Sequence, residues 1–215
     1  MAAFYRHAYK IAPASIEEPY HVEERLDDLE ELQDRVAELA EGQKVLELGC
    51  GTGYWTEILA EGADEICATD LCADALTLAA TRELDNTEWM EADAYAIPDE
   101  VLVHQPKLLF AAGLWPQIPR EVQESTLKHW RARLGADTHL VLIGESYVEG
   151  VSATIARTDL QGNTFQIQVL PDGSRTEVMY NFPSDSTLRK RLAPLVRELR
   201  VTRLEHYWML TCRLK

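Results

Sequence analysis

The chain has 215 residues with 36 acidic against 21 basic side chains, a formal net charge of −15. That balance excludes broad binding to nucleic-acid phosphates unless its basic residues are gathered on one face. With 46% hydrophobic and 27% charged residues it is no disordered chain, and its length suits one ordinary domain with a full core.

No apolar run approaches the roughly 18 residues of a membrane span, and the first residues lack the apolar core of a signal peptide. Four cysteines, Cys50, Cys67, Cys72 and Cys212, show no C-x-x-C spacing and read as small buried thiols. The expectation is a reduced, cytoplasmic protein with no membrane or nucleic-acid partner. The basic runs at 189–191 and 197–203 read as solvated faces of a helix and a strand.

Residues 1–21 gather Phe4, Tyr5, His7, Tyr9, Tyr20 and His21, and Pro13 and Pro19 limit any helix there to a short one near 4–11. Two uses stay open for this arm: rings packed on the domain, or a cover over a ligand. Residues 22–40 place Val22, Leu26, Leu29, Leu32, Val36 and Leu39 on one helical stripe opposite acidic residues, and Glu41-Gly42 ends the helix.

Lys44–Leu48 is a short apolar run of the kind that forms a strand buried on both faces. Glycines alternate after it at Gly49, Gly51 and Gly53, and an amphipathic run follows to residue 60. Such a turn brings bare backbone and a helix start toward a ligand. The dinucleotide pattern G-x-G-x-x-G would need glycine at position 54, where Tyr54 stands. Glu47, two residues before the first glycine, suggests a ligand with a cationic end, because it would repel a pyrophosphate.

The pattern Glu47-x-Gly49-x-Gly51-x-Gly53 resembles the first motif of the class I S-adenosylmethionine (SAM) methyltransferases. The resemblance implies that the loop underlies the methionine part of the cofactor and that Glu47 lies near its amino group. It extends the expected cofactor contacts to the neighbouring Tyr54, Trp55, Leu71, Ala94 and Ala112. A tight turn in another α/β domain is the alternative at this point.

Residues 64–69 form the expected second strand, ending at Asp70, whose carboxylate is placed to accept both hydroxyls of a ribose. Capping the helix of residues 72–84 is its other use, although Asp74 is a second cap candidate. Residues 87–92 form a third strand, and the resemblance implies that Asp93 meets an adenine edge; a surface turn also suits an aspartate.

Leu108–Ala112 is the fourth strand, followed by Gly113-Leu114-Trp115-Pro116-Gln117-Ile118-Pro119. Open α/β sheets bind ligands beyond the carboxyl ends of their strands, so Trp115 and Gln117 are placed to touch reacting groups. Packing in the core is the alternative for Trp115. The stretch resembles a group of small bacterial methyltransferases with a tryptophan-rich turn before a histidine and a proline. Gln117 stands where that histidine is frequent.

A helix over 120–134 and a fifth strand over 138–144 come next. Residues 163–170 and 174–182 alternate around Pro171-Asp172-Gly173, a hairpin signal. A helix over 183–199, capped by Ser184 or Ser186, and strands at 201–205 and Tyr207–Leu214 close the chain. This tail resembles the same small-methyltransferase group.

The expected fold is α/β and Rossmann-like: a seven-stranded, mainly parallel sheet with helices on both faces, the last strand antiparallel, and a small β-hairpin inserted after strand 5. Residues 1–40 form the arm and first helix, and 41–215 the SAM-binding domain with the hairpin near 163–182. The expected reaction moves a methyl group from SAM, leaving S-adenosylhomocysteine (SAH), to an oxygen or nitrogen of a small molecule, with sulfur a lesser option. No metal is expected. His21, Tyr9 and Trp115 are the catalytic candidates, and Tyr5, Tyr20, Trp115 and Gln117 the acceptor contacts. His104, His129, His139 and His206 read as structural. A protein or RNA acceptor, or a non-catalytic SAM-binding module, are the alternatives. Nothing in the sequence sets the oligomeric state.

Overall fold

The computed structural model describes residues 23–169 and 173–215. From the amino end the elements are α1 (Leu26–Ala40), β1 (Lys44–Leu48), α2 (Tyr54–Ala60), β2 (Glu65–Asp70), α3 (Ala73–Ala79), β3 (Thr87–Glu91), α4 (Asp99–Leu102), β4 (Leu108–Ala112), α5 (Gln123–Leu134) and β5 (His139–Glu145). Then come β6 (Ile155–Thr158), β7 (Thr164–Val169), β8 (Arg175–Met179), α6 (Asp185–Leu192), β9 (Val196–Arg203) and β10 (Tyr207–Leu214).

Seven strands form one sheet in the order β3-β2-β1-β4-β5-β10-β9, with β1 to β5 mutually parallel and β10 antiparallel to both its neighbours. The chain order reverses between β1 and β4, and open sheets bind ligands in the crevice at such a reversal.

The strands carry two cores because successive residues point to opposite faces. Val45, Ile66, Phe110, Val141 and Ile143 pack under Leu29, Leu32 and Val36 of α1 and under Leu59 of α2. Leu46, Leu48, Leu109, Leu140 and Leu142 pack under Trp130 of α5 and Leu188 and Leu192 of α6. The same alternation aims Glu47 at the α2 side of the sheet.

Three elements depart most from the sequence expectation. The helix expected over 72–84 is α3 plus a 3₁₀ turn, Ala80–Arg82, closed by Glu83 at φ 52°. The helix expected over 183–199 stops at Leu192: Ala193 still has helical backbone and donates to the Arg189 carbonyl, but Pro194 after it has no amide donor to continue the ladder. The freed residues from Val196 onward pair with β10 instead. Ser184 is the cap, accepting from the Thr187 amide at 3.2 Å. The inserted hairpin β7–β8 also gains a third strand, β6, whose short and mostly exposed Ile-Ala-Arg-Thr run carries little strand signal.

Candidate functional site

The carboxyl ends of β1, β2, β3 and β4 meet at one edge of the sheet, around the loop Gly49 to Gly53. Gly49, Gly51 and Gly53 all take left-handed backbone, with φ of 73°, 57° and 82°. Gly53 is also enclosed: a Cβ there would stand 2.9 Å from the Trp89 ring.

Amide donors of this loop turn inward. Gly49 and Cys50 both donate to the Thr69 carbonyl, at 2.8 and 2.9 Å, and Gly53 donates to Cys50 at 3.0 Å. The Gly51 amide donates to Asp70 Oδ2 at 2.9 Å. A loop whose N–H groups are so engaged is no phosphate cradle. The Cys50, Thr52 and Gly53 carbonyls also have partners within the chain, so the groups left beside the loop for a ligand are the carboxyls of Glu47 and Asp70.

Glu47 is 1% exposed and accepts a 2.6 Å hydrogen bond from the Thr56 hydroxyl of α2. Burial pushes its carboxyl up from 4.5 to about 8, partly opposed by the Thr56 hydrogen bond. Burial also raises Asp70 above its ordinary range, against the pull of the Cys72, Gly51 and Leu71 amides. Asp70 is therefore not the free carboxylate expected: Oδ2 latches the Gly-rich loop and Oδ1 takes the Cys72 amide at 2.8 Å. With the Leu71 amide as a third donor, a carboxylate of about four acceptor sites keeps one for a hydroxyl.

At the end of β3, Asp93 Oδ1 accepts from the Tyr95 amide at 2.8 Å, and the Ala94 carbonyl accepts from Trp130 Nε1 at 2.7 Å. Leu71 and Tyr95 are exposed apolar surfaces at this edge, and Ala94 and Ala112 are half-buried. Leu114 lies 3.7 Å from where a Cβ on Gly49 would stand.

Two expected contacts belong to the core instead. Trp115 is 2% exposed, its ring 6.0 Å from that of Trp130, so it fills space beneath the site and offers no face to an acceptor. Trp55 is 3% exposed and packs on Phe110, 6.0 Å between ring centres, so it supports the loop from behind. Tyr54 is half-buried and accepts from Gln33 at 2.6 Å. Gln117 is half-buried on the loop after β4 and donates to the Gly113 carbonyl at 3.0 Å. Tyr5, Tyr9, Tyr20 and His21 lie outside the described residues.

The sequence reading missed Thr56 and Thr69. Thr69 donates to the Glu47 carbonyl at 2.8 Å and its own carbonyl gathers two loop amides. Thr56 stands nine residues after Glu47 on a helix face turned to the strand, a spacing with no motif to mark it. Of the histidines read as structural, the His104 ring lies against Glu65 at 2.5 Å and the His129 ring accepts from the Ile97 amide at 3.1 Å.

Beyond β5, on the site's side of the sheet, an open groove of about 540 Å³ is lined by Tyr147, Phe182, Asp185 and Arg203, among others. Buried Arg25 pairs with Glu145 at 3.1 Å at the end of β5. Among the described residues no cluster of His, Cys, Asp or Glu is arranged to hold a metal ion, and no helix is long and apolar enough to cross a membrane.

Residues 45–137 match the model of a family described as a methyltransferase domain. That span contains the whole Gly-rich loop and the ends of β1 to β4. Among solved structures, a complex of DhpI with SAH is 24% identical, with 99% of this chain and 94% of that one aligned and a TM-score of 0.74. A complex of DhpI with SAM and HEP is 22% identical over 98% and 94% of the two chains, with a TM-score of 0.77. A protein from Pyrococcus horikoshii OT3 is 15% identical over 96% and 98%, with a TM-score of 0.71. No curated protein matches the chain.

Proposed function

We propose that this chain is a class I SAM-dependent methyltransferase, built on the methyltransferase-domain match at residues 45–137, and that it methylates an oxygen or nitrogen of a small molecule, sulfur being the lesser option. The observation that carries the reading is the inward-turned Gly-rich loop. Its amides at Gly49, Cys50, Gly51 and Gly53 are engaged within the protein, and Glu47 and Asp70 lie beside it. A dinucleotide pyrophosphate would find those four amides taken and two carboxyls beside them, whereas the ammonium and sulfonium of SAM favour those carboxyls in their ionised form.

SAM supplies an activated methyl group whose transfer leaves a neutral thioether, so the protein need provide no strong acid. Its tasks are to hold the nucleophile in line and exclude water. Asp70 keeps acceptor capacity for one ribose hydroxyl, and Leu71, Tyr95 and Ala94 offer an apolar strip for an adenine, with Asp93 at its border. The groove past β5 and the loop carrying Gln117 flank the acceptor side. Tyr5, Tyr9, Tyr20 and His21 remain the expected acceptor-side residues. A small acceptor is also supported by the DhpI complex, which names HEP alongside SAM.

Calorimetry tests the cofactor: SAM and SAH are expected to bind and NAD not to. Transfer of labelled methyl from SAM into the small-molecule fraction of a cell extract tests the rest. Label in protein or RNA alone would overturn the acceptor class, and no label in any fraction would leave a binding module.

A further inference from the structure

Arg82 lies outside every motif of the sequence, thirty residues beyond the loop, yet it closes that loop from behind. It ends the 3₁₀ turn after α3, and its side chain is 6% exposed. Nε donates to the Thr52 carbonyl at 3.0 Å, and Nη1 pairs with Glu57 of α2. Nη2 is buried without a hydrogen-bond partner. The Arg82 stem also stands 3.1 Å from where a Cβ on Gly53 would lie, so glycine there makes room for it.

The consequence is a peptide unit fixed at both ends. The Thr52 carbonyl is held by Arg82, while the amide of the same unit, on Gly53, donates to Cys50. Glycine-rich backbone is conformationally free by itself, so an enclosed guanidinium supplies order that the loop lacks. Its fork also joins the loop to the first turn of α2, because Glu57 lies on that helix. A solvated surface ion pair would contribute little, but this arginine is enclosed and bonds the backbone.

We propose that Arg82 is a positioning residue for cofactor binding, which holds the loop and the start of α2 in the shape that receives the methionine end of SAM. The inference rests on the SAM-binding reading above. Arg82 has a second effect through charge: its attraction opposes the burial that raises Glu47. Loss of the arginine therefore both loosens the loop and makes Glu47 hold its proton to higher pH.

The test is SAH and SAM binding by calorimetry across pH for wild type, Arg82→Ala, Arg82→Gln and Arg82→Lys, each checked for folding by circular dichroism. Arg82→Ala is expected to weaken SAH binding about ten- to a hundredfold. Lysine keeps the charge but cannot reach the Thr52 carbonyl and Glu57 with one fork. Arg82→Lys should thus restore the pH profile while leaving affinity at least about fivefold weaker. A general loss of stability would instead lower the melting temperature and leave affinity in the folded variants unchanged. If wild type binds SAH and the folded variants bind it within about twofold, the proposal is overturned and the SAM reading stands. If wild type binds neither ligand, both fall together. Should Arg82→Ala not fold, the glutamine and lysine variants decide between these outcomes.

Discussion

Glu47 holds its proton in the folded chain far above its ordinary range, and stability should record this. Between pH 4.5 and about 8 the unfolded chain has released that proton while the folded chain keeps it. Stability of the unliganded protein should therefore fall as pH rises through that window, by up to about 1.4 kcal/mol per pH unit from this group, and level off above it. Glu47→Gln should flatten the slope, measured as urea-unfolding free energy at about pH 5 and about pH 9. A bound cation favours the ionised carboxylate, so SAM binding below the Glu47 pKa should release a proton, visible by calorimetry in buffers of different ionisation heat. Asp70→Ala should weaken SAM binding by about 1.5–3 kcal/mol, because it removes an acceptor and unlatches the Gly51 amide. Unchanged affinity would remove Asp70 from the site. Both acids were legible in the sequence because they stand at strand ends a fixed distance from the glycines. Thr56, Thr69 and Arg82 were not, since each acts through a contact that only the folded backbone creates.

At the level of elements, apolar runs and glycines made the first five strands readable, with β1 and β4 placed to the residue. The elements missed or overrun were β6, whose run is short and mostly exposed although its partner β7 is next in the chain, and the helix that meets Pro194. Trp115 shows the same limit for a side chain: an aromatic after a buried strand faces either a ligand or the core, and only packing decides. Trp115→Ala should cost about 3–5 kcal/mol of stability. Its SAH affinity, measured well below the melting temperature, should stay near wild type if the ring only supports the loop. Gly144 has a related duty at the end of β5. A Cβ there would stand 2.8 Å from Pro116 and closer still to the Trp208 indole. Gly144→Ala should destabilise by about 1–3 kcal/mol or more through overpacking, measurable as a lowered urea midpoint. The same packing fastens the loop after β4, whose Pro116 carbonyl accepts from the Asn181 amide at 2.8 Å. Asn181 is 2% exposed and its Oδ1 also accepts from the Thr164 amide, so the inserted sheet and that loop are joined.

For the whole molecule, the net charge of −15 sets what can approach it. The run that could have formed a basic face is largely engaged within the chain: Arg197 pairs with Asp137 and Glu198, Arg203 with Asp185, and Arg191 donates to the Arg120 carbonyl. Binding to DNA or RNA should therefore be weak at physiological salt. A micromolar complex that dissociates steeply with added salt would contradict this. The inward-turned amides of the Gly-rich loop have a consequence for competition. ATP shares its whole adenosine half with SAM, so a pocket that fits that half cannot refuse it by shape. In the proposed site the difference would begin where the ribose ends, with a triphosphate meeting amides already engaged within the chain and buried carboxyls in place of an ammonium. Selection between the two would then turn on charge rather than size: an ammonium draws the proton off Glu47, whereas a triphosphate keeps that proton on and finds the loop amides taken.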